Sequence, residues 1–106
     1  MTQFDVHKNT GRHADVIPFV VVVRSSQFDG YRRRVVVPLV HGNVIGKAGL
    51  PSLNPTFRMR GTTVVLHPLE IVSAAVDQLG PKVGTLAARG QEIIRALDEV
   101  FSRAWK

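Results

Sequence analysis

From Ile93 onward apolar residues recur at Ile93, Ile94, Leu97, Val100, Phe101, Ala104 and Trp105, with Arg95, Asp98, Glu99 and Ser102 between them. That three-and-four spacing predicts an amphipathic helix over Arg89 to Lys106, with one face packed on a core. Nearer the N-terminus the period changes. Phe4 to Lys8 alternates apolar and polar residues, as a half-buried strand does, and the polar Asn9-Thr10-Gly11-Arg12 follows as a turn. Val16 to Arg24 and Arg33 to Val40 are nearly continuous β-branched runs and read as buried strands. Pro18 stands near the start of the first, where a missing N–H is tolerated. Phe28-Asp29-Gly30 supplies an Asp-Gly turn between the runs, so the two predict an antiparallel hairpin.

From His41 to Pro55 the chain holds Gly42, Gly46, Gly49 and Pro51, then Asn54-Pro55, which predicts a loop with at most a short strand. Phe57 to Leu66 resumes extended character around Gly61-Thr62 and predicts a further hairpin. His67 to Gly80 has two readings. Leu69, Val72, Val76 and Leu79 keep helical spacing, yet Pro68 and Ile71-Val72 also suit a strand that gives way to a turn. In either, Gly80-Pro81 ends the segment, Val83 to Leu86 links to the terminal helix, and Thr85 offers a cap. There is no internal repeat. The pattern predicts one strand-rich domain over residues 1–106 with a single C-terminal helix.

Composition narrows the setting. A chain of 106 residues is long enough for one core. Without cysteine it forms no disulfide and no thiolate site, which fits a reducing compartment. Met1-Thr2-Gln3-Phe4-Asp5 lacks the basic-then-apolar pattern of an export signal, and the apolar run Val16 to Val23 is too short to span a bilayer. A soluble cytoplasmic protein is expected, without membrane contact. The net charge of +6, from 14 Lys plus Arg against 8 Asp plus Glu, favours an acidic partner, whether nucleic acid or peptide. The densest basic cluster, Arg32-Arg33-Arg34, is either a solvated start of a strand or a place where such a partner docks.

Candidate chemistry changes the picture little. His7, His13, His41 and His67 include no pair spaced for one helical face, so no metal and no cofactor are expected. Gly42 to Gly49 lacks the Gly-Lys-Ser/Thr ending of a phosphate-cradling loop, and no serine is bracketed by glycines as in a nucleophile elbow. Metal-free RNA cleavage has candidate parts: His13 and Asp15 on one strand face for proton transfer, and Arg32 to Arg34 for phosphate. Nothing in the spacing forces them together. Trp105, the single tryptophan, either plugs the core or, with Arg103 close by, forms a contact site of the kind found at binding hot spots.

Several segments, in order, resemble the CcdB-type toxins of bacterial toxin–antitoxin systems. They are Phe4-Asp5-Val6, Arg33-Arg34-Val35-Val36-Val37-Pro38-Leu39-Val40, Leu53-Asn54-Pro55, Leu79-Gly80, Val83-Gly84-Thr85-Leu86 and the helix from Ile93 to Phe101. The resemblance implies an SH3-like β-barrel with a small second sheet and a C-terminal helix, acting as a homodimer. It implies a non-enzymatic toxin that traps the A subunit of DNA gyrase on cleaved DNA and is neutralised by a CcdA-like antitoxin with a disordered tail. Arg32, Arg33 and Arg34 are the expected antitoxin-binding residues, and no direct contact with nucleic acid is expected. The MazF or PemK type, which shares the barrel, cleaves RNA and supplies the alternative of a metal-independent endoribonuclease.

The functional end departs from the family. Its well-known members close with Phe-Trp-Gly-Ile, of which the last three are the gyrase-poisoning residues; here Phe101 matches, but Ser102, Arg103 and Ala104 fill the other three places, none carries over, and Trp105 comes three residues late. On a continuous helix the indole then lies about 60° round and about 4.5 Å farther along than the family's tryptophan. Trp105, Arg103 and Phe101 are accordingly the expected gyrase-binding residues. A homologue that has lost gyrase poisoning is the further alternative.

Overall fold

The computed structural model describes residues 3–11, 13–23, 33–42, 54–70, 72–75 and 79–103. Among these residues seven strands, β1 (Asp5–Asn9), β2 (Phe19–Val22), β3 (Arg33–His41), β4 (Thr56–Met59), β5 (Thr62–Leu66), β6 (Val72–Ala75) and β7 (Leu79–Thr85), precede one α-helix, α1 (Gly90–Arg103). All pairings are antiparallel, in the order β4-β5-β3-β2-β1-β7, with β6 also on β3. The sheet curls into a half-barrel around the inner face of α1.

β2 lies at the middle of the sheet. Its four residues, Phe-Val-Val-Val, are all buried, because a strand covered on both faces favours a continuous β-branched run over alternation. The predicted hairpin of the two runs is present as β2 against β3, with Phe19 opposite Leu39 and Val22 opposite Val36. Its Phe28-Asp29-Gly30 turn lies outside the described residues, as do positions 43–53 of the predicted loop. The second hairpin closes through Arg60 and Gly61, at φ +53° and +77°, between Met59 and its partner Thr62. Two central residues with positive φ match the right-handed twist of the flanking strands.

Two expectations are corrected and one open reading is decided. The small second sheet is not present among the described residues: nine-residue β3 overshoots β5, and its N-terminal half accepts β6 along the same edge. Pro38 falls where that edge changes partner, between Val36 opposite Val72 and Leu39 opposite Leu66. Its carbonyl accepts from the His67 amide at 3.0 Å, and its missing N–H coincides with the junction, where no ladder donor is needed. Of the two readings of His67 to Gly80, the strand holds, as a short 3-10 turn (Pro68–Glu70) followed by β6. Gly80-Pro81, expected to end a segment, lies inside β7, which continues to Thr85 on the edge of β1.

The core fills the space between sheet and helix. Val6, Val21, Val37, Leu39, Phe57, Val64 and Leu66 meet Ile93, Ala96 and Leu97 there. A smaller apolar cluster, Val20, Val22 and Val36, occupies the opposite face of the sheet. The edges β4 and β7 form no ladder with each other. Arg60 Nε instead donates across the gap to the Val83 carbonyl at 3.0 Å, beside a register irregularity in β7. No helix among the described residues is long and apolar enough to cross a membrane.

Candidate functional site

α1 begins at a constructed root. Thr85 Oγ1 accepts from the Ala87 amide at 3.2 Å ahead of the 3-10 turn Ala87–Arg89 that leads into the helix, but the cap position of that turn is Leu86 and not the predicted Thr85. At Gly90 a Cβ would sit 2.5 Å from the Phe4 ring, a close approach only glycine permits. Arg89 completes the root. Its Nε and Nη2 donate to the two Glu92 carboxylate oxygens at 2.5 and 2.8 Å, and Nη1 donates to the Thr56 carbonyl at 2.9 Å. Its guanidinium also stacks 4.2 Å from the centroid of the Phe57 ring. The Arg89 hydrogen bond holds the Glu92 carboxyl below its usual range, and the same bond raises the Arg89 guanidinium.

From that root the helix runs along the core and past it. Ile93, Ala96 and Leu97 are buried, Ile94 and Val100 are half-buried, and Phe101 is 57% exposed. The apolar stripe predicted from spacing is therefore core only in its first turns. At the far end a bare phenyl ring and the exposed Ser102 face solvent. Phe101 is the one large hydrophobic side chain exposed among the described residues.

The remaining candidates are scattered. Arg103 closes α1, but its side chain lies outside the described residues, as do Trp105 and Arg32. Arg33 and Arg34 open β3, opposite Ala75 and Ala74. Arg34 is 6% exposed, on the same face as Val36, and offers little surface to a partner. His13 and Asp15 do not share a strand face as expected. They lie exposed in a tight turn closed by the Val16 and Ile17 amides donating to the His13 carbonyl at 3.0 and 2.6 Å. His7 is buried in β1, where Nδ1 donates to the Gly80 carbonyl at 2.9 Å. Among the described residues no group of three or more acidic or histidine side chains could hold a metal.

Two features escaped the sequence reading. One is the Arg89 clasp, whose partners Thr56 and Phe57 are remote in the chain. The other is a groove of about 540 Å3 on the sheet face away from α1, floored by Val20 and Val36, walled by Ala74 and Leu79, and carrying Lys8 and Glu70. An Arg three residues before a Glu was a visible signal for the first. The second needed the curl of the sheet.

In comparisons with known proteins, the model of the family described as CcdB protein matches residues 3–102. No curated protein matches.

Proposed function

The chain belongs to the CcdB protein family, and from that premise we propose that it is the toxin of a type II toxin–antitoxin pair, acting by binding the A subunit of DNA gyrase. The observation that carries the reading is Phe101, 57% exposed at the free-standing end of α1. It corresponds, in this reading, to the phenylalanine that opens the closing Phe-Trp-Gly-Ile of the CcdB-type toxins, with Ser102, Arg103 and Ala104 in place of the three residues that follow. In this reading Phe101, Arg103 and Trp105 form the gyrase contact, with the indole displaced along the helix relative to the family's tryptophan.

The mechanism is protein recognition without bond chemistry. A rigid helix presents an aromatic anchor, so little side-chain freedom is lost on binding, and the neighbouring guanidinium supplies directional hydrogen bonds at the rim. Two copies of the chain would present two such ends. An acidic antitoxin tail, folding as it binds, would be drawn by the net charge of +6 and meet the β3 end through Arg32 and Arg33, while the buried Arg34 holds that end of the strand. Such a protein works in the cytoplasm, where gyrase is.

The test uses purified chain with gyrase and supercoiled plasmid, alongside a parallel incubation with RNA. Linear DNA trapped by gyrase is the expected result, lost on Trp105→Ala with folding retained. Metal-free RNA cleavage, or gyrase that works unhindered, would overturn the reading.

A further inference from the structure

We propose that Arg89 is a positioning residue, whose clasp at the root of α1 sets where the far end of that helix points. The inference deepens the reading that this end is the contact site, and rests on it for its functional consequence. Apolar contact holds the helix to the sheet through Ile93, Ala96 and Leu97, but such contact is non-directional and permits small pivots. Arg89 supplies the direction. Its planar fork grips both oxygens of Glu92, in the first turn of α1, while its third nitrogen holds the Thr56 carbonyl on the edge of β4. A guanidinium bound in this way fixes an angle as well as a distance, which an ammonium cannot. The Phe57 ring beneath it is 1% exposed, so the fork lies on a side chain packed into the core.

The energetics separate aiming from adhesion. Arg89 and Glu92 have side chains 43% and 44% exposed, and an ion pair so placed contributes little to global stability. Its effect grows with distance from the root. Phe101 lies twelve positions beyond Arg89, a rise of about 18 Å, so a tilt of about 5° at the root carries the tip roughly 1.5 Å. A contact that depends on pre-organisation weakens when its anchor is displaced by that order, because binding must then supply the lost ordering. Phe101 and Ser102 are exposed, so the tip takes its position from the body of the helix.

The chain has no cysteine, which allows spin labels to be placed at Lys8→Cys in β1 and Ser102→Cys at the tip. With labelled chain diluted in unlabelled chain, pulsed electron paramagnetic resonance reads the distance within one protomer. In Arg89→Gln the distribution should broaden by about 1.5 Å, with helix content by circular dichroism unchanged. Inhibition of gyrase should fall at least tenfold at an unchanged folded fraction, and Arg89→Lys should not rescue it. Glu92→Gln, which removes the charged fork but leaves the Thr56 bond and the Phe57 stack, should broaden the distribution to a lesser degree and serves if Arg89→Gln does not fold. An unaltered distribution in both variants overturns the proposal. If the unmodified chain leaves gyrase unaffected, the functional reading fails while the resonance measurement still decides whether Arg89 aims the helix.

Discussion

Phe4 adopts φ +72°, a conformation that L side chains avoid, and its surroundings hold it there from both sides. Its amide donates to the Val22 carbonyl at 2.6 Å, its carbonyl accepts from the Leu86 amide at 2.8 Å, and its ring fills the space that Gly90 leaves open. Gly90→Ala should therefore destabilise the protein by about 1–3 kcal/mol, read as a lowered urea midpoint at unchanged m-value. Glu92 gives a pH dependence of known sign. Its folded pKa lies below the unfolded one, so its contribution is complete above the ordinary carboxylate range and fades as pH falls through the lowered folded value. Glu92→Gln should remove that part of the acid limb from a melting-temperature profile between pH 7 and 2. A profile identical to that of the unmodified chain would contradict the assignment.

At the scale of elements, the β4–β5 hairpin depends on a turn in which both central residues are left-handed. Gly61→Ala meets no neighbour within 4 Å, so its effect isolates the backbone, and a loss of about 1–2 kcal/mol is expected by chemical denaturation. The helix divides into two functional lengths. Ile93→Ala removes a fully buried side chain at the sheet interface and should lower stability by about 2–5 kcal/mol. Phe101→Ala, on the same stripe, should change stability by no more than about 0.5 kcal/mol while abolishing gyrase inhibition. Thermal melts and plasmid assays on the two variants test this division, and a large stability loss in Phe101→Ala would place the ring in the core.

Over the whole molecule, the half-barrel is joined along its seam by side chains instead of a ladder, with Arg60 bonded to Val83 and Arg89 to Thr56. Charge acts at the same scale. A net +6 should make capture of an acidic antitoxin tail faster at low salt, and stopped-flow association rates should fall steeply as salt rises toward the physiological range. Periodicity alone determined the terminal helix, the hairpin of β2 and β3 and the hairpin of β4 and β5, because each is specified by residues close in the chain. The order of family segments was equally legible there. What the folded chain decided was everything requiring two distant segments to meet: the one sheet formed among the described residues, the pairing of β6 with a length of β3 that β5 leaves open, the burial of Arg34, and the Arg89 clasp. Local spacing records which face of an element is apolar. Only packing decides which partner covers that face, and where, as at Phe101, the covering stops.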